Sequence, residues 1–94
     1  MTEKQIQTDI QEYLRYSGWF CFKIHQQGKF CYRGITDLIA IKDGLTIYVE
    51  VKAEKAKLAA DQMKFMDDVK DHGGVHIVAR SIDDVRNVIK KVVA

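Results

Sequence analysis

Asp37, Glu50 and Lys52 are far apart along the 94-residue chain, yet together they are of the types that support hydrolytic chemistry. The dipeptide Asp43-Gly44 can bring them together, because this pair favours a two-residue hairpin turn. With that turn, Lys42 pairs with Leu45, and counting outward pairs Asp37 with Glu50. Cross-strand partners share a face, with Cβ atoms roughly 5 Å apart. Lys52, two residues beyond Glu50, points to the same side. Two carboxylates that close repel unless a cation sits between them. A hard cation such as Mg²⁺ or Mn²⁺ needs only one or two carboxylates, completed by water and phosphate oxygens. Such an ion acidifies bound water, and a neighbouring ammonium can position a nucleophile and shield phosphate charge. The trio therefore suits phosphodiester hydrolysis. It equally suits a solvated salt-bridge set, since Glu-x-Lys on a strand is common and short motifs match by chance.

The elements needed to position these residues can be read in order. Ile6, Ile10, Tyr13 and Leu14 recur at helical spacing, predicting a helix from Thr2 to Ser17 with Thr2 as N-cap and Gly18 as its stop. Trp19 to Ile24 reads as a short aromatic strand. Residues His25 to Gly34 form a polar loop in which Gly28 and Gly34 would permit movement. Ile35 to Lys42 and Leu45 to Lys52 are the hairpin strands; Leu45, Ile47, Val49 and Val51 face one side, and Thr46, Tyr48, Glu50 and Lys52 the other. After a charged stretch from Ala53 to Lys57, a helix is expected from about Leu58 to His72, with Leu58, Met63, Phe65, Met66 and Val69 as its apolar face. Val75 to Ala79 is a strand, and Ser81 caps a last helix to about Val92 with Ile82, Val85, Val88, Ile89 and Val92 as its inner stripe. The order α-β-β-β-α-β-α, a hairpin followed by a helical crossover, implies an α/β fold with a mixed sheet and helices on both faces.

Chain length allows one domain, residues 1–94, and one core. A 47% hydrophobic and 30% charged composition is that of a globular protein. No apolar run approaches bilayer length and the N-terminus is polar, so neither a signal peptide nor an anchor is expected, and a cytoplasmic location is the default. The net charge of +2 permits nucleic-acid binding without demanding it. Cys21 and Cys31 are too few for a zinc knuckle or a disulfide framework; Cys21 reads as core and Cys31 as a free thiol in a loop. Glu3 falls on the stripe of Ile6, Ile10 and Leu14, whereas Glu12 does not. An acid there either has an inward partner or belongs to a solvated first turn that complements the helix dipole. The sequence leaves both open.

Four segments, Glu3-Lys4-Gln5-Ile6-Gln7, Gly34-Ile35-Thr36-Asp37-Leu38, Val49-Glu50-Val51-Lys52 and Leu58-Ala59-Ala60-Asp61-Gln62, together resemble the VRR-NUC family of the PD-(D/E)XK nuclease superfamily, from Glu3 to about Ala79. The resemblance implies a restriction-endonuclease-like α-β-β-β-α-β core, here with a C-terminal helix, and a divalent-metal-dependent DNA nuclease. It makes Asp37 and Glu50 metal ligands, with the Val51 carbonyl assisting, and Lys52 the catalytic lysine; Glu3 and Gln62 match the family's helix-borne acid and its glutamine. Two positions depart from the pattern. Thr36 stands where the family usually has proline, and Ala59-Ala60 where it often has Ser-Pro, leaving the helix uncapped and the orientation of Gln62 open.

Lys23, Lys29, Tyr32 and Arg33, with His25, lie in or beside the loop preceding Asp37, and Lys55 and Lys57 follow the Lys52 strand. Basic and aromatic residues there could grip a DNA backbone and stack on an unpaired base, or form an ordinary solvated loop. Stand-alone members of the family resemble Holliday-junction resolvases and act as homodimers, which implies branched DNA, such as a four-way junction, as substrate and a second copy as partner. The first helix and Trp19 to Phe22 are the interface candidates. The resemblance also implies a bacterial or phage-infected cell. Two other classes remain in view: a DNA-structure-binding module that needs a partner such as a helicase for activity, and an interaction domain whose charged trio is accidental.

Overall fold

The computed structural model describes residues 1–25 and 32–93. Their order is α1 (Glu3–Tyr16), β1 (Phe20–Lys23), β2 (Leu38–Lys42), β3 (Leu45–Val51), α2 (Ala60–Asp71), β4 (Val75–Ala79) and α3 (Ile82–Val92). The strands form one mixed sheet in the order β1-β2-β3-β4, antiparallel from β1 to β3 and parallel between β3 and β4. This is the restriction-endonuclease-like arrangement expected from the sequence. Among the described residues, no helix is long and apolar enough to cross a membrane.

Local chemistry explains the boundaries that matter. Thr2 and Gln5 close a capping box over the start of α1: the Thr2 hydroxyl accepts from the Gln5 N–H at 3.2 Å, and the Gln5 side-chain oxygen accepts from the Thr2 N–H at 2.8 Å. The helix ends in a Schellman motif, with Gly18 N–H on the Arg15 carbonyl and Trp19 N–H on the Leu14 carbonyl. Between β2 and β3, Asp43 has φ 51° and Gly44 φ 82°, the two positive values of a type I′ turn. The register runs from Lys42↔Leu45 to Leu38↔Val49, as the turn chemistry requires. One further step places Asp37 opposite Glu50.

The hydrophobic core lies on one side of the sheet. Ile47, Val49 and Val51 of β3, with Leu38, Ala40 and Cys21, pack with Ile6, Ile10 and Leu14 of α1 and Val85 of α3. The alternating residues of β3 face α2, where the rings of Tyr48 and Phe65 meet edge-on at 5.7 Å.

Several expected boundaries move, for identifiable reasons. The first strand begins at Phe20 because Trp19 belongs to the helix stop, and its side chain is buried in the core. β2 begins at Leu38 rather than Ile35. Thr36 is fully buried and its hydroxyl donates to the Leu38 carbonyl at 3.1 Å, a local bond that competes with the ladder. α2 starts at Ala60, leaving Leu58 outside it, and buries none of its side chains fully; Met63 is exposed. Ser81 flanks α3 without a side-chain cap; the Asp84 carboxylate instead accepts from the Arg80 N–H at 2.8 Å. In α3 only Val85 is fully buried, and Val92 is exposed.

The turn gives a direct test. A Cβ at Gly44 would meet no atom within 4 Å, so its substitution is resisted by backbone conformation alone. Gly44→Val should cost about 1–3 kcal/mol in urea denaturation. An unchanged midpoint would show that this turn does not hold the hairpin in register.

Candidate active site

The hairpin presents Asp37 and Glu50 on the face opposite the core, and both acids feel the same neighbours. Glu50 is 2% exposed despite being a carboxylate. Burial, then the Asp37 charge, push its pKa from 4.5 up to about 8; Lys52 pulls it down, and Glu3 adds to the rise. The Asp37 backbone N–H, too far or too misaligned to close a hydrogen bond, lowers it slightly. Burial also raises the Asp37 pKa. The Val51 N–H, donating to Asp37 Oδ2 at 2.8 Å, opposes that rise, as do Lys52 and Lys23, while Glu3 reinforces it. Three acids and the Lys52 ammonium therefore form one electrostatic unit. Val51 enters it through its N–H, which anchors the Asp37 carboxylate.

Gln62 is fixed by two bonds. Its oxygen accepts from the Ala59 N–H at 2.9 Å, supplying half of a capping box at a helix start that has no polar N-cap residue. Its amide donates to Glu50 Oε1 at 2.7 Å. One side chain thus caps α2 and orients the acid, which answers the question raised by Ala59-Ala60. Glu3 is exposed at the first turn of α1, but its charge reaches both Asp37 and Glu50, so it stands at the rim of the cluster.

The second Glu50 oxygen, Oε2, is buried with no hydrogen-bond partner. An orphaned anionic acceptor is costly in a protein interior. Beside a second carboxylate it fits a cation. Among the described residues, no three His, Cys, Asp or Glu side chains form a complete cage. An ion held by two carboxylates would complete its shell with water or phosphate oxygens.

The other expected residues separate into groups. Lys23 is exposed at the end of β1, with its charge felt by Asp37. Tyr32 and Arg33 are exposed beside the first turns of α2, lining a cleft with Asp61, Lys64 and Phe65. Lys55 and Lys57 are exposed in the segment between β3 and α2, and neither is among the charges acting on the acids. Lys29, with Gly28 and Cys31, lies outside the described residues.

Two positioning residues had no clear sequence signal. Arg80, at the end of β4, donates to the Ala53 and Ala56 carbonyls, both at 2.6 Å, and so ties down the segment that follows Lys52. Gly34 was expected to loosen its loop. Instead it is buried at φ 80°, and a Cβ there would run into the Asp61 carbonyl oxygen and lie 2.8 Å from the Gln62 nitrogen. The chain before Asp37 is packed directly on the first turn of α2.

Two outcomes follow from this geometry. Gly34→Ala should force the start of α2 away, breaking the Gln62–Glu50 bond and costing more than the roughly 1 kcal/mol usual for a point substitution; an undisturbed melting curve would contradict the close contact. In chelator, the folded chain keeps a proton on Glu50 from pH 4.5 to about 8 that the unfolded chain has released. Glu50 therefore lowers stability as pH rises through that window. His76, neutral in the fold but charged in the unfolded chain below 6.5, opposes it, so the net decline should lie between about 6.5 and 8 and level off above. Burial lowers the His76 pKa to about 4 from 6.5, so above 6.5 this histidine is mainly neutral in both states and contributes little slope. Glu50→Gln should reduce the alkaline decline, and an identical slope in the variant would refute the assignment.

A family model described as the VRR-NUC domain matches residues 2–83. A solved structure called a VRR_NUC domain aligns with a TM-score of 0.79 at 24% identity, covering 96% of this chain and 97% of that one. A second, called a VRR_NUC domain protein, aligns at 0.74 with 18% identity, covering 96% of this chain and 86% of its own. At these identities the two structures speak for the fold. No curated protein matches the sequence. The family match spans most of the chain: it belongs to the VRR-NUC domain family, a nuclease-like branch of the PD-(D/E)XK superfamily.

Proposed function

We propose that this protein is a divalent-metal-dependent DNA endonuclease that hydrolyses phosphodiester bonds in branched DNA, such as four-way junctions, and acts as a homodimer. The observation that carries the reading is the buried Glu50 carboxylate. One oxygen is fixed by Gln62, the other lacks a partner, and Asp37 and Lys52 share its electrostatic field.

In this reading Asp37 and Glu50 hold Mg²⁺ or Mn²⁺, with the carbonyl of Val51, between Glu50 and Lys52, assisting. When bound, the ion supplies an acidified water and neutralises charge on the phosphate. Gln62 keeps Glu50 in one orientation, and the Val51 N–H does the same for Asp37. Lys52 offsets the repulsion of the two acids and offers an ammonium to the attacking water or to a phosphate oxygen. Glu3, at the rim, can accept a hydrogen bond from water ordered around the site. Lys23, Tyr32 and Arg33 give exposed contacts for the DNA backbone beside it, with Lys55 and Lys57 farther along the same segment as Lys52. Lys29 belongs to the same expected set.

The homodimer is supported by the β1 edge. Phe20 is 66% exposed there, and its ring lies 5.1 Å from that of Phe22. A second copy would cover this apolar surface and pair two sites on one branched substrate. Trp19 takes no part in such an interface because it is core.

Incubation with a four-way junction and a matched linear duplex, in Mg²⁺, Mn²⁺ or chelator, tests the proposal. Cleavage should require metal, favour the junction, and fall at least about 100-fold in Lys52→Ala while the melting curve is retained. Metal-independent cutting, or an active Lys52→Ala protein, would overturn it. Binding without cleavage in every metal would favour a recognition module dependent on a partner. Separately, Mn²⁺ at about 100 times its dissociation constant should stabilise the native protein by about 2.7 kcal/mol. The gain should vanish in an Asp37→Asn, Glu50→Gln double variant.

A further inference from the structure

Phe65 is the hub of an aromatic cluster where α2 packs on the sheet. Its ring lies 5.6 Å from Tyr32, 5.7 Å from Tyr48 and 6.1 Å from His76. Tyr48 and His76 come from the sheet and brace Phe65 from behind. Tyr32 is the outermost member, 56% exposed. Beside it Tyr32, Arg33, Asp61, Lys64 and Phe65 line a cleft of about 270 Å³. The tyrosine is therefore a supported ring with an open side, rather than a loose side chain.

This cluster is close to the acids. Tyr48 is two residues before Glu50 on the same face of β3, a spacing of about 7 Å along a strand. Asp61 in the cleft precedes Gln62, whose amide holds Glu50. A strand with a phosphate at the acids would place a neighbouring nucleotide within reach of Tyr32. The cations suit that path. Arg33 is exposed, and Lys64 pairs with Asp68 at 2.8 Å in an exposed bridge, which solvent makes weak and exchangeable for a phosphate. An aromatic platform flanked by cations is the pattern that binds unpaired nucleotides, because every base has a stackable face.

We infer that this cleft is a nucleobase subsite: an unpaired base next to the reacting phosphate stacks on Tyr32, and its own phosphates meet Arg33 and Lys64. The inference rests on the DNA reading above and deepens it, since it assigns the preference for branched substrates to an unstacked nucleotide beside the junction. Phe65 is then a positioning residue that fixes the plane of Tyr32.

The test uses the full chain in chelator, where DNA stays intact. The ligands are a duplex with a single-stranded flap carrying 2-aminopurine at its first unpaired position, and a fully paired duplex carrying the same base. Binding should quench the flap fluorescence as the base stacks. Tyr32→Ala should remove that quenching and reduce the flap-to-duplex affinity ratio roughly 5- to 100-fold, whereas Tyr32→Trp should preserve both. Melting curves check that the variants fold. Bound flap DNA without quenching, or a ratio unaltered by Tyr32→Ala, would overturn the subsite. Tyr32-dependent quenching in a protein that cuts nothing with any metal would leave the subsite standing and sink the nuclease reading. Cleavage without Tyr32-dependent quenching would do the reverse, and absence of DNA binding would sink both.

Discussion

Glu50 is a carboxylate removed from water and set against another carboxylate, and most of the local architecture can be understood as the means of holding it there. Burial and the Asp37 charge both oppose its ionisation. Left alone, such a pair would either keep a proton or separate. Separation is prevented by the covalent and hydrogen-bonded frame. The type I′ turn sets the register of β2 and β3, the Val51 N–H fixes one acid, and the Gln62 amide fixes the other. What the frame leaves unsatisfied is a single buried oxygen. A protein stabilised only for its own sake would place an apolar side chain there, since a half-satisfied polar cluster is worse than a dry core.

α2 shows the same priority. A surface helix ordinarily attaches through an apolar stripe, yet α2 has no fully buried residue. Its attachment is concentrated at two places. At its start, the Gly34 backbone lies against the Asp61–Gln62 peptide and Gln62 bonds to Glu50; further along, Phe65 reaches the rings of Tyr48 and His76. The first contact belongs to the acid cluster itself. Helix docking and acid orientation are thus coupled, and neither can be altered without moving the other.

The sequence showed the hairpin and the core well because each is set by local chemistry. Asp43-Gly44 can satisfy two positive φ values, so the pairing that opposes Asp37 to Glu50 followed from counting alone. Ile6, Ile10 and Leu14 bury as their spacing demands, and Thr2 caps as its type suggests. Where the sequence misled, a contact that neither composition nor periodicity announces decides. The hydroxyl of Thr36 folds onto Leu38 and delays β2. Of the apolar face Leu58, Met63, Phe65, Met66 and Val69, only Met63 is exposed, but none is fully buried, because α2 is also tied by polar and aromatic contacts whose partners lie on other elements. Gly34 read as a hinge because composition cannot distinguish a glycine that permits motion from one that permits contact. Arg80 gave no signal at all, since its partners are backbone carbonyls 24 to 27 positions earlier.

The sign of the charge distribution connects these points. A net charge of +2 over the whole chain hides a separation: Asp37 and Glu50 are drawn inward with Glu3 at their rim, while Lys23, Arg33, Lys55 and Lys57 stand exposed. The exposed cations are screened by salt far more than the buried cluster is. The response of the exposed charges to salt and the mutual repulsion of the buried acids are therefore separable properties. The first needs only exposed charge. The second needs the turn, the glutamine and the glycine contact all in place, because it depends on two like charges being kept where neither would remain alone.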